Sequence, residues 1–185
     1  MRAAQAERAL AKQTSGKPVQ RGRQGRPLRV LLVDDHVLLL RCMARLLTSS
    51  ETALITKPEQ ALAMLLDGAQ FDAIVSDVMM PGMSGPELFA RCYLYDPGLA
   101  RRFLFVSSDP NGARRTLADT AARIGAHHVP PVLQKPISQA SFVEAVNGVA
   151  AAAAQGSGTY VLNLPESDVS AEPLKPKRTS STGFR

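Results

Sequence analysis

Phe71-Asp72-Ala73-Ile74-Val75-Ser76-Asp77-Val78-Met79-Met80-Pro81-Gly82 carries a short apolar run that ends in a carboxylate and then breaks at a proline-glycine pair. Such a run suits a strand buried on both faces, with Asp77 at its carboxyl end and a loop beyond it. Three other segments repeat the pattern. Val30-Leu31-Leu32-Val33 leads into Asp34-Asp35, Phe103-Leu104-Phe105-Val106 into Ser107-Ser108, and Val132-Leu133-Gln134 into Lys135-Pro136. In a parallel sheet the carboxyl ends share one edge, so these polar groups converge on one pocket fit for chemistry on an anion.

Strand and helix signals alternate between these runs. Leu39, Leu40, Met43, Leu46 and Leu47 recur at spacings of three and four and predict a helix from His36 to about Thr48. A short strand is expected over Ala53 to Thr56. Pro58 suits the first turn of a second helix, which stops at Gly68. Ser84 and Glu87 have capping-box spacing and predict a third helix over about Pro86 to Tyr95. A fourth helix is expected over about Gly112 to Ile124, ended by Gly125, and a fifth from near Ser138 to about Ala154. Strands are placed at Arg29 to Val33, Ala73 to Ser76, Phe103 to Val106 and Val132 to Gln134. Five such units predict an α/β, doubly wound, five-stranded parallel sheet of order 2-1-3-4-5, flavodoxin-like, with helices on both faces. In that order ligands sit beyond strands one and three, the strands that carry Asp34, Asp35 and Asp77.

Charge divides the chain in three. Residues 1–29 hold eight Lys/Arg against one Glu, residues 30–155 ten against twelve Asp/Glu, and residues 156–185 four against three. The organisation read from this is a basic disordered arm (1–27), one α/β domain (28–154) and a disordered Ser/Pro-rich tail (155–185). The arm suits plain solvation, or contact with nucleic acid, a membrane surface or an acidic partner. It has no aromatic residue to stack on bases, which argues against single-strand binding. No apolar run approaches the roughly 20 residues of a bilayer span, and the first residues lack the apolar core of a secretory signal. Cys42 and Cys92 are far apart and read as packed small hydrophobes in a reducing compartment, and the adjacent His127 and His128 as a polar connection.

Three clustered carboxylates repel one another and call for a raised pKa or a bound cation. Two Asp from one strand end, one from the next and an open loop suit a hard divalent ion such as Mg²⁺. Lys135 adds a second positive charge, Ser107 a hydroxyl donor and Asp77 a nucleophile, the parts of a phosphoryl-transfer site. Each also has a plainer reading: a helix cap for the Asp pair, a turn residue for Asp77 or Ser107, a solvated charge for Lys135.

Leu-Leu-Val-Asp34-Asp35-His, Asp77-Val-Met-Met-Pro81-Gly82-Met-Ser-Gly85, Phe-Val-Ser107-Ser108 and Lys135-Pro136, in this order on strand ends, resemble the receiver domain of two-component response regulators. The resemblance covers about Arg29 to Ala154. It implies that Asp35, Asp77 and the backbone carbonyl of Met79 hold Mg²⁺ directly, with Asp34 acting largely through water. It also implies that Asp77 accepts a phosphoryl group from a histidine kinase or phosphotransfer protein, that Ser107 hydrogen-bonds that group and that Lys135 pairs with it. Output would then pass to a protein target through the face made by the fourth helix, strand five and the fifth helix.

The chain departs from that pattern at Val132, where many receivers carry Tyr or Phe, and at residues 126–131, which read as a small insertion. Met79 and Asp109 lie where flanking side chains affect hydrolysis of the phosphoryl group. About 30 residues follow the domain, too few for an output module, which points to a cytoplasmic single-domain regulator or phosphorelay intermediate. The alternatives are a phosphorylation-independent scaffold and a hydrolase built on the same acidic site.

Overall fold

The computed structural model describes residues 26–156; the expected arm and tail lie, for all but a few residues, outside the described residues. Five parallel strands, β1 (Leu28–Val33), β2 (Ser50–Ile55), β3 (Ala73–Asp77), β4 (Phe103–Ser107) and β5 (Val132–Gln134), pair in the order β2-β1-β3-β4-β5. The helices are α1 (Val37–Leu46), α2 (Pro58–Leu66), α3 (Gly85–Tyr95), α4 (Pro110–Arg123) and α5 (Gln139–Gln155), with a single helical turn, Pro97–Ala100, before β4.

Alternate side chains of β1, β3, β4 and β5 feed two cores. Leu31, Val33, Ile74, Phe103 and Phe105 pack under α2, α3 and α4. Val30, Leu32, Val75, Leu104 and Val106 pack under α1 and α5. Burial on both faces is why these strands read as continuous apolar runs rather than alternating ones. Phe103 lies edge-on to Phe89 of α3 at 5.8 Å and stacks on Phe105, filling the space beneath α3 with rings.

The edges and helix starts differ from the sequence expectation. β2 begins at Ser50, three residues earlier than expected, because Ser50, Glu51 and Thr52 lie on a half-exposed edge where polar side chains face water. α4 begins at Pro110 rather than Gly112: Asp109 caps it by accepting from the Gly112 N–H at 2.9 Å, and Pro110 needs no donor at the first position. Asp96 caps the unexpected turn at Pro97 in the same way, 2.8 Å from the Gly98 N–H. Ser84 caps α3 through the Glu87 N–H at 3.3 Å, but the Glu87 carboxylate pairs forward with Arg91 at 2.6 Å, so only half of the capping box forms.

Cys92 is buried, as expected of a packed small hydrophobe, and both thiols are free. Cys42 is exposed, against expectation: α1 turns Leu40, Met43 and Leu47 inward, and position 42 falls on the opposite side of that helix. Arg26 anchors the start of the described chain through paired bonds of 3.0 and 3.1 Å to Asp72. No helix among the described residues is long and apolar enough to cross a membrane.

Candidate functional site

Register alone brings the site together. Val33 pairs with Ser76, Asp77 with Val106, and Ser107 with Gln134, so the residues that follow β1, β3, β4 and β5 emerge along one edge. Asp34 is fully buried, and its backbone N–H donates to the Ile55 carbonyl at 3.3 Å. Its Oδ1 accepts from the His36 backbone N–H at 2.9 Å, and its Oδ2 accepts from Lys135 Nζ at 3.3 Å.

Asp77 is held from two sides. Lys135 Nζ donates to Oδ1 at 2.5 Å, and the Met79 backbone N–H donates to Oδ2 at 2.7 Å. The Lys135 ammonium therefore bridges carboxylates 58 and 101 positions away in sequence. Burial works against its charge, but the bonds and charges of Asp77 and Asp34 together outweigh burial and raise its pKa above the ordinary lysine value. Lys135 is placed by its own backbone N–H, which donates to the Ser107 carbonyl at 2.8 Å.

Asp35 is partly exposed at the mouth, with Oδ1 at 3.0 Å from His36 Nδ1. His36 Nδ1 also lies 3.3 Å from Asp34 Oδ1. An ionised carboxylate only accepts, so Nδ1 bonds these neighbours in the tautomer that places the proton on Nδ1. Asp34, Asp35 and His36 offer ligand atoms within 4.8 Å of one another. His36 joins the site beyond the residues expected from sequence, and its adjacency to two carboxylates in the chain is the signal for it.

Ser107 lies on the same edge, yet its hydroxyl is turned toward α4. It donates to the Asp109 carbonyl and accepts from the Asp109 N–H, both at 3.1 Å. Among the sequence-predicted residues, Asp34, Asp77 and Lys135 are thus directly bonded, Asp35 neighbours Asp34, and Ser107 is bonded elsewhere. The Met79 side chain is 78% exposed, and its recorded bond to the site is through the backbone N–H.

Asp34 and Asp77 share one ammonium and Asp35 adjoins Asp34, so carboxylates outnumber ammonium groups at this edge. Oxygen donors with uncompensated charge at an open edge fit a small hard divalent cation.

The chain belongs to the response regulator receiver domain family, which its residues 30–147 match. It is 33% identical over 70 residues to the two-component response regulator ORR42 of Oryza sativa subsp. japonica, covering 37% of this chain and 53% of that protein. The chain thus spans about half the length of that curated relative. In fold it resembles the signal receiver domain of an HD domain-containing protein from Pseudomonas fluorescens Pf-5, with a TM-score of 0.58 at 23% identity. That likeness covers 70% of this chain and 98% of the other. A CheY-like receiver domain protein from Methanospirillum hungatei JF-1 has the same fold, with a TM-score of 0.57 at 18% identity over 70% of this chain and 98% of its own.

Proposed function

We propose that this receiver domain takes a phosphoryl group onto Asp77 from a histidine kinase or phosphotransfer protein, in a Mg²⁺-dependent reaction. It then signals through protein contacts or hands the phosphoryl group on, acting as a single-domain regulator. The observation that carries this reading is the Lys135 ammonium shared between Asp34 and Asp77. A half-buried lysine shared by two carboxylates holds positive charge at the place where an anion would arrive.

Asp77 supplies the nucleophilic oxygen. The new P–O bond forms as the donor's P–N bond breaks, and the departing nitrogen keeps the electron pair and takes up a proton. The Met79 N–H keeps the Asp77 carboxylate oriented for this attack. Lys135 balances the negative charge that the phosphoryl oxygens bring. Asp35, Asp77 and the Met79 carbonyl would hold the magnesium ion directly and Asp34 through water, and when bound the ion supplies further positive charge to those oxygens. Ser107 must leave Asp109 and turn toward the phosphoryl group. That exchange moves the start of α4, and with it the face of α4, β5 and α5 that would meet the downstream target.

Incubation with Mg²⁺ and acetyl phosphate, followed by intact mass, tests the reading. Wild type gains one phosphoryl group, and Asp77→Asn gains none. A phosphorylation-independent scaffold is the second reading, favoured by the engaged Ser107 hydroxyl and by buried Val132 in place of an aromatic ring. It would leave both proteins at their starting mass.

A further inference from the structure

The edge of the sheet opposite Asp77 holds a cavity of about 90 Å³ between α3, the helical turn and the loop before β5. Phe89, Tyr93, Pro97 and Ala100 give it an apolar floor, with Arg101 and His127 at the sides. Phe89 and Ala100 are almost wholly buried, so the floor is part of the fixed core. Tyr93 is pinned by its hydroxyl to the Gly125 carbonyl at 3.1 Å. The described chain ends at the same place: α5 closes at Gly156, whose carbonyl accepts from Arg101 Nη1 at 2.7 Å. Gly156 has φ +70°, which turns the chain off the axis of α5.

We propose that the segment Tyr160-Val161-Leu162-Asn163-Leu164 of this same chain folds back and seats an apolar side chain in that cavity. Three observations select this occupant. The first is reach: three residues lie between Gly156 and Tyr160, four steps of the chain or about 13 Å at full extension, and Gly156 is already bonded to a residue of the cavity wall. The second is composition. Residues 157–185 are rich in Ser, Pro and charge, and Tyr160 to Leu164 is their one dense apolar run, closed by Pro165. The third is charge: Glu166 and Asp168 follow directly, opposite in sign to Arg101, whose guanidinium has donors to spare beyond the Gly156 bond. The docked segment covers the amino-terminal edge and leaves the Asp77 edge open, so this inference stands apart from the phosphoacceptor reading.

Hydrogen–deuterium exchange on the full chain, at several protein concentrations, tests it. In wild type the amides of 160–164 exchange at least about tenfold more slowly than in the double variant Tyr160→Ser/Leu162→Ser. In that variant the segment around Pro97 to Arg101 also exchanges faster. Because both substitutions lie outside the described domain, its far-UV circular dichroism serves as a check that the fold is kept. Arg101→Glu gives the same loss of protection from the other side of the contact. Equal exchange of 160–164 in wild type and the double variant overturns the proposal. So does protection that rises with protein concentration alongside a dimer in sedimentation velocity, which would make a second copy the occupant.

Discussion

Gly85 stands directly against the backbone of Asp77: a β-carbon at position 85 would overlap the Asp77 carbonyl and crowd the Phe105 ring and the Ser76 hydroxyl. The Ser76 hydroxyl itself donates to that carbonyl at 2.8 Å, so the peptide after Asp77 is fixed by a hydrogen bond and by contact. The Gly85 N–H donates to the Val78 carbonyl at 3.0 Å, tying the start of α3 to the loop beyond Asp77.

Gly85→Ala sets two effects against each other. Helix propensity alone favours alanine by about 1 kcal/mol. The overlap falls on backbone that cannot swing away, so the variant is expected to lose roughly 1–3 kcal/mol. Urea unfolding measures this, and a stabilised Gly85→Ala would contradict the contact.

Lys135→Met should lower stability by on the order of 2 kcal/mol, because buried Asp34 and nearby Asp77 lose their shared cation. The sign with pH follows from the raised pKa of Lys135. Its contribution is fully present below the unfolded lysine value near 10.5 and is lost as pH rises through the higher folded value. The melting-temperature gap between wild type and Lys135→Met therefore stays constant at neutral and mildly basic pH and narrows above about pH 10.5. Added Mg²⁺ should stabilise the variant, since a divalent ion replaces the missing charge.

The two cysteines should behave oppositely. Burial pushes the Cys92 thiol up to about 12, so it presents almost no thiolate at pH 8. Cys42 is exposed on α1. A maleimide added to the native protein should label Cys42 alone, and both thiols in denaturant, as read by intact mass. Rapid double labelling of the native protein would show that Cys92 is not packed as described.

Asp109→Ala and Ser107→Ala should separate cap from switch. Removing the Asp109 carboxylate takes away the α4 cap and should cost about 1 kcal/mol, while Ser107 keeps its bonds to the Asp109 backbone. On the proposed mechanism Ser107→Ala still gains a phosphoryl group at Asp77 but no longer shifts the α4–β5–α5 face. Amide chemical shifts of α4, compared with and without acetyl phosphate, check this.

β1, β3, β4 and β5 and the residues at their carboxyl ends were legible because burial on both faces writes an apolar run into each of these strands. The start of β2 was not, since Ser50, Glu51 and Thr52 sit on a half-exposed edge where no apolar signal is required. The two Asp-Pro starts at Asp96 and Asp109 carry a capping signal that apolar spacing overlooks. At the site, sequence placed Asp34, Asp77 and Lys135 on a common edge. It did not reveal that the Ser107 hydroxyl is spent on Asp109, because a rotamer choice between two nearby acceptors leaves no mark in the sequence. His36 escaped for a related reason: its contact with Asp35 depends on the turn after β1, where neighbouring side chains fold onto one another.

β5 is only three residues long and forms one margin of the sheet. Pro130 and Pro131 precede it, and Pro136 follows Lys135, so the backbone loses amide donors at both ends. A free strand from another molecule finds too short a ladder there to zip onto. Whatever approaches that margin must read side chains, and the fold is shielded on that flank from runaway strand-to-strand association.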